Sequence, residues 1–313
     1  MGASRPFRFG VQLASARSAA EWAELARKAE DLGFSTLFMP DHFEDALAPV
    51  PALMAAADAT RVLRVGSLVL DNDYKHPVVT AKEMATIDLL SDGRLELGIG
   101  AGWMTSDYER SGIPMDDPGV RIDRLEEGIA VLKGLFAEGN FSYEGKHYQV
   151  TELDGRPKPV QQPGPPLLIG GGGPRVLRLA AREADIVGIN PAIRAGRVNR
   201  AATLSGVAAA TDEKVAWVRA EAGDRYESLE INMLMFACVV TDDRQGTLEA
   251  MAPLFGLEPA DVGDYPHAWV GSVDQICDDL VAGRERWDAS YLVVQGIDAM
   301  NAAAPIVARL AGT

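Results

Sequence analysis

Along this chain the hydrophobic pattern switches repeatedly between a period of two and a period near 3.6, and the switches mark strands and helices in alternation. Residues 7–13 alternate apolar with other side chains, as a strand with two different faces should. Ser18 with Glu21 three residues later forms a capping box, and Trp22, Leu25, Ala26, Ala29 and Leu32 recur at helical spacing until Gly33 stops the run. A second strand at 35–39 ends at Pro40, which forces the chain out of the sheet. The pattern then predicts a helix over 51–60, a strand over 62–70, a helix over 78–90 entered through His76-Pro77, and a fourth strand over 94–102. A loop carrying Trp103 and Tyr108 follows.

Ile122, Leu125, Ile129, Leu132 and Phe136 mark a long amphipathic helix that ends at Gly139, and 141–148 reads as a hairpin turning at Glu144-Gly145. A proline-rich connector over 156–166 leads to a strand at 167–169, after which four glycines and Pro174 open a helix reaching Ala184. Further strands are expected at 186–189, 230–240 and 291–295, with helices from 212 to about 226, after Ser272-Gln275, and over 302–310. Residues 256–269, rich in proline and acid, read as an excursion. Eight strands separated by helices, with no dividing linker, predict an α/β fold, a (β/α)8 TIM barrel with insertions forming a single domain over 1–313.

Composition narrows the partners. A chain of 313 residues that is 47% hydrophobic can bury a large core, and no apolar run approaches a signal peptide or membrane span, so a cytoplasmic protein without a membrane partner is expected. The net charge of −15 repels a phosphate backbone, which argues against nucleic acid. A phosphorylated cofactor must then be held at short range by backbone N–H groups or a local Arg or Lys. Cys238 and Cys277 both fall in apolar periodic stretches and read as core thiols.

The chemistry gathers at strand ends, because ligands of parallel α/β folds bind at the C-terminal mouth of the strands. Asp41 and His42 close strand two, and an imidazole titrating near pH 6.5 suits proton transfer. Asp41 is suited to orienting His42, contacting a cofactor or capping its loop. Gly98, Gly100 and Gly102 leave room above strand four, but they run into Trp103 instead of a helix, unlike a dinucleotide fingerprint. Gly170 to Gly173, at a helix N-terminus, form the best anion site in the chain. His76 and His147 read as structural, and His267 receives no role. No metal-ligand spacing and no Gly-x-Ser-x-Gly elbow is present. Arg8 and Glu96 share strand faces with glycines, so period two turns both toward the lumen near the bottom of the barrel, where a buried ion pair is expected.

These stretches together resemble the bacterial luciferase-like flavin- and deazaflavin-dependent oxidoreductases. The resemblance rests on Pro40-Asp41-His42-Phe43, Gly66 to Leu70, Leu97 to Gly102, Gly145 to Tyr148, Pro157 to Gln161 and Ile169 to Gly172, in that order along nearly the whole chain. It implies coenzyme F420 as cofactor, hydride exchange with a small-molecule substrate, and His42 as the catalytic group facing the reactive ring. Asp41, Leu68, Val69, Gly100, Ala101, Gly102, Gly170, Gly171, Gly172 and Gly173 would contact the cofactor, and Gln12 and Trp103 the substrate. It also implies a non-prolyl cis peptide at Leu68-Val69 and a homodimer. In sugar-phosphate dehydrogenases of this branch an acid follows the strand-four glycines; Trp103 stands there instead, which points to an apolar or aromatic substrate. A reduced-FMN-dependent monooxygenase is the alternative on the same barrel, and a flavin- or ligand-binding barrel without turnover is a third reading.

Overall fold

The computed structural model of the protein describes residues 5–313. In chain order the elements are β1 (Arg8–Gln12), α1 (Ala19–Asp31), β2 (Thr36–Met39), α2 (Pro49–Ala59), β3 (Arg64–Ser67), β4 (Leu70–Asp71), α3 (Pro77–Leu90), β5 (Leu95–Gly100), α4 (Thr105–Ser111) and α5 (Pro118–Phe136). The hairpin β6 (Phe141–Glu144) and β7 (Gln149–Leu153) leads to β8 (Leu167–Gly171), α6 (Pro174–Glu183), β9 (Ile186–Ile189), α7 (Arg200–Leu204) and α8 (Ala208–Ala222). Then come β10 (Glu230–Met235), β11 (Ala237–Val240), α9 (Arg244–Phe255), α10 (Pro259–Gly263), β12 (Ala268–Gly271), α11 (Val273–Trp287), β13 (Ala289–Gln295) and α12 (Gly296–Leu310).

Eight parallel strands, in the order β1-β2-β3-β5-β8-β9-β10-β13, close on themselves through the β1–β13 and β3–β5 pairings. The result is the expected (β/α)8 barrel, with every strand's C-terminal end at one mouth. Strand three is shorter than expected and interrupted: after β3 the Leu68-Val69 peptide is cis, as the resemblance implied, and the chain rejoins β5 as β4. Strand seven was expected to run to 240, but it leaves the barrel after Met235. Phe236 N donates to His267 O (2.8 Å), and β11 pairs with β12 in a separate two-stranded sheet, so the expected excursion contributes α10 and the first residues of β12. The expected loop after strand four contains α4, and the region after β11 contains α9. The seven residues of α4 are too few to show an apolar stripe, whereas α9 carries Leu248, Met251, Ala252 and Phe255 at helical spacing, a signal the sequence reading left unused.

Period two separates two apolar layers. Phe9, Val11, Leu37, Met39, Leu97 and Ile99 meet the helices, whereas Phe38, Leu168, Ile186, Tyr291 and Val293 fill the lumen. Lumen-facing glycines make room for them. A Cβ on Gly66 would lie 2.8 Å from the Phe38 ring and 2.7 Å from Glu96 O, so no larger residue fits beside that ring.

Arg8 and Glu96 do meet in the lower lumen, but as part of a network rather than an isolated buried pair. Arg8 bonds Glu96 and also Glu230 (2.7 Å), while Arg64 Nε donates to Glu96 Oε1 (2.7 Å) and the Tyr291 hydroxyl donates to Glu96 Oε2 (2.8 Å). Glu96 is 1% exposed, yet the Arg8 side chain is 31% exposed, so the barrel floor is open to water on the arginine side. Of the two thiols, Cys277 is buried as expected and Cys238, on β11, is only partly so.

Candidate active site

Pro40 ends β2 and turns the next two residues into the barrel mouth. His42 is half-buried there, its ring edge-on to Trp103 with centroids 5.7 Å apart. Its Nδ1 lies 2.7 Å from Oδ2 of Asp107, a residue of the short helix α4 that is 2% exposed. A carboxylate only accepts, so Nδ1 carries the hydrogen of this bond, and in the neutral ring Nε2 keeps a lone pair. Nε2 has no hydrogen-bond partner among the described residues. The Tyr74 hydroxyl also approaches Asp107 Oδ2, at 3.4 Å. A carboxylate thus stands against His42 four residues beyond Trp103. Sequence reasoning missed Asp107 because this stretch reads as a loop; the usable signal was a carboxylate in the first turn after Thr105.

Asp41 does not orient His42. Its Oδ2 accepts from the backbone N–H of Asp71 (3.1 Å), which ties the end of strand two to that of strand three, and burial raises its carboxyl above the ordinary range. Asp71 accepts from the Tyr108 hydroxyl (2.7 Å) and from Asp73 N (2.9 Å), and burial, the dominant influence, pushes its carboxyl up to about 6. Gly102 packs against this group at φ +72°, where a Cβ would fall 1.9 Å from the Tyr108 hydroxyl. Only glycine fits there. Arg121, also missed in sequence, donates to Ala101 O (3.2 Å) and Gly102 O (2.8 Å) and fixes this strand end from behind.

Gln12, at the end of β1, donates through Nε2 to Leu68 O (2.6 Å) and accepts from Gln295 Nε2 (2.7 Å). It therefore sets the carbonyl next to Val69. Across the mouth, Gly170 and Gly171 end β8, and Gly173 caps α6 without a side-chain hydrogen bond. A Cβ on Gly172 would strike the Pro191 backbone at 2.4 Å, whereas one on Gly173 would meet nothing within 4 Å. Open space therefore lies before the α6 N-terminus, whose first N–H groups have no partner in the helix.

Gln12, Asp41, His42, Leu68, Val69, Gly100, Ala101, Gly102, Trp103 and Gly170 to Gly173 all line one cavity of about 1260 Å³. The structure thus brings every residue that the resemblance assigned to catalysis, cofactor or substrate to one cavity. It adds Asp107, Arg121, Arg175 and Arg194, together with apolar groups from β10, from the segment before α7, and from α9 and the chain after α10. The other histidines stand apart. His76 caps α3 by accepting from Val78 N (3.3 Å), and His147 donates its backbone N–H to Glu127 (2.8 Å). His267 is fully buried with Nδ1 2.9 Å from Leu234 O, and burial lowers its pKa to about 4. Among the described residues no three His, Cys, Asp or Glu side chains could hold a metal, and no helix is long and apolar enough to cross a membrane.

A profile of the luciferase-like monooxygenases matches residues 1–286 of this chain. The chain belongs to the luciferase-like monooxygenase family. It is 32% identical over 170 residues to an F420-dependent glucose-6-phosphate dehydrogenase from Amycolatopsis mediterranei, covering 52% of this chain and 50% of that one. It is also 31% identical over 152 residues to an FMNH2-dependent dimethylsulfone monooxygenase from Pseudomonas putida, covering 49% of this chain and 41% of that one. The chain spans about half the length of the curated relatives it matches. Among solved structures, the coenzyme F420-dependent tetrahydromethanopterin reductase from Methanopyrus kandleri superposes with a TM-score of 0.77 at 19% identity, covering 98% of each chain. That likeness speaks for the barrel alone. The named relatives include both F420-dependent and flavin-dependent oxidoreductases, so membership leaves the cofactor open.

Proposed function

We propose that this family member is an F420-dependent oxidoreductase that exchanges a hydride with a small organic substrate, with His42 carrying the accompanying proton. The observation behind this reading is the His42–Asp107 pair at 2.7 Å in the cavity wall. Asp107 holds the imidazole in one tautomer and stabilises the positive charge that forms when Nε2 accepts a proton. Such a group suits an alcohol losing its hydroxyl proton, or a carbonyl gaining one. Trp103, packed edge-on against the imidazole, limits its rotation and shields it from water.

The residues present fit a flat tricyclic ring with a phosphorylated tail. Leu68, Val69 and the bare backbone of Gly100 to Gly102 would hold the ring. The uncapped α6 N-terminus with Gly170 to Gly173 would hold the phosphate despite the chain's negative charge. A bound deazaflavin supplies a two-electron hydride donor or acceptor that does not require oxygen.

The second reading is a reduced-FMN monooxygenase, favoured by the similarity to the dimethylsulfone enzyme, which is as high as that to the F420-dependent one. Turnover separates the readings. Anaerobic bleaching of F420 with a panel of alcohols supports the proposal. Oxygen uptake with reduced FMN, and no anaerobic reaction with F420, would assign the monooxygenase.

A further inference from the structure

The cavity has two chemical characters. Around His42 it is polar and acidic, with Asp41, Asp71 and Asp107 in its lining. Another part of its lining is apolar and comes from four separate places in the chain: Val198 before α7, Phe236 where β10 gives way to β11, Leu254 and Phe255 at the end of α9, and Tyr265 in the chain following α10. Val198 is 71% exposed, Phe236 42% and Leu254 84%, although each lines this cavity. Large apolar side chains gathered around a single concave opening mark a binding surface more often than scattered exposure does.

The wall is built before any ligand arrives. The segment carrying Val198 is clasped to α4 by Thr105 N donating to Gly196 O (3.0 Å). Its ends are tied by Ala192 N donating to Ser205 Oγ (2.7 Å) and by buried Lys214 donating to Asn190 O (2.7 Å) and Ser205 O (2.5 Å). Phe236 packs on the His267 ring at 5.3 Å, and Phe255 lies edge-on to Tyr265 at 5.5 Å. A preformed apolar surface of this kind binds hydrocarbon at a lower ordering cost.

Charge narrows the class further. The carboxylates on the His42 side repel an anionic group near the imidazole. Of the lining guanidinium groups, Arg121 donates to two carbonyls through Nη1 alone and its buried Nε has no partner, while Arg175 is engaged by Gly119 O and Asp123. Arg194 stands exposed on the segment before α7.

We propose that the substrate is a neutral alcohol or ketone with a bulky hydrocarbon body, seated on the Val198, Phe236, Leu254, Phe255 and Tyr265 wall with its oxygen toward His42. The placement of the oxygen rests on the function proposed above; the hydrocarbon subsite does not.

The test uses the full chain, with and without F420, and the neutral fluorophore N-phenyl-1-naphthylamine as probe. Displacement by a series of 2-alkanols from butan-2-ol upward should tighten about threefold to fourfold for each added methylene. In a Phe236→Ser, Leu254→Ser double variant this should weaken about tenfold, with F420 affinity unchanged. Failure of F420 to bind while the alkanol series keeps its slope would sink the cofactor assignment and leave the subsite standing. A flat alkanol series overturns the subsite. So does tighter displacement by carboxylates of equal length that is lost in Arg194→Ala, which would make the ligand anionic. A variant that sediments as a monomer where the parent is a dimer, with alkanol affinity unchanged, would make the wall an interface between copies and also overturn the proposal.

Discussion

Replacing Glu96 by alanine removes the acceptor at the centre of the charge network in the lower barrel. Glu96 is 1% exposed and receives hydrogen bonds from Arg8, Arg64 and Tyr291. Breaking a buried ion pair from one side costs roughly 3–5 kcal/mol, because the surviving charge stays buried without compensation. Here each survivor has a second partner. Arg8 keeps Glu230 (2.7 Å) and some contact with water, Arg64 keeps Leu95 O (2.9 Å) and Gln161 Oε1 (2.9 Å), and the Tyr291 hydroxyl lies 2.6 Å from Thr36 Oγ1. The loss should therefore fall at the low end of that range, about 3 kcal/mol. With a urea m-value of about 3 kcal/mol/M, the unfolding midpoint should drop by about 1 M. Urea is the right denaturant, since guanidinium would screen the charges under test. Cofactor affinity should not change, because the network sits at the opposite end of the strands from His42. A loss under about 1 kcal/mol would reduce the network to a surface ion pair, and a loss of cofactor binding would show that the barrel floor and mouth are coupled.

Three further outcomes follow from the same geometry. His42→Ala should lower turnover roughly 100-fold to 10,000-fold while the circular dichroism spectrum is kept, and unchanged turnover would return His42 to a structural role. Asp107→Asn should lower kcat about as much with KM little changed, because an amide can donate to Nδ1 and so place the imidazole hydrogen on Nε2; a purely structural Asp107 would instead show as lost stability with kcat retained. Burial without a carboxylate partner pushes Lys214 down from 10.5 to about 8, a difference worth roughly 3 kcal/mol. Between those values the unfolded chain binds the proton more readily than the folded one, so stability from this group rises with pH. Comparing urea midpoints of wild type and Lys214→Met at pH 7 and pH 10 should show the balance moving toward wild type at the higher pH; an unchanged balance would show that the amine is not desolvated.

The barrel was legible because its signals are local and repeated. Period two in residues 7–13 and the Ser18 cap of α1 encode their elements without help from the rest of the fold, although the Glu21 carboxylate turns to Arg17 instead of closing a capping box. The same logic turned Arg8 and Glu96 inward, although the roles of Arg64, Glu230 and Tyr291 depend on the register of five strands and could not be read from any one of them. At the mouth, Pro40, His42 and the glycine runs stand at strand ends and were visible in sequence. Asp107 was not, because α4 has only seven residues, two of them buried, and therefore shows no periodic stripe. The departure of strand seven at Phe236 was hidden as well. Residues 230–240 stay apolar throughout, since β11 continues into a second sheet, and an unbroken run cannot reveal a change of sheet. The apolar wall of the cavity escaped for a third reason: its side chains come from segments far apart in sequence and share nothing but their destination.

The central claim, an F420 site built around His42, is tested most directly by titrating the full chain with F420 and with FMN in parallel and following the fluorescence of each cofactor. The account predicts tighter binding of F420, with affinity weakened for both cofactors when Gly173 is replaced by aspartate in front of the α6 N-terminus. Tighter binding of FMN, or F420 affinity unaffected by that aspartate, would contradict it.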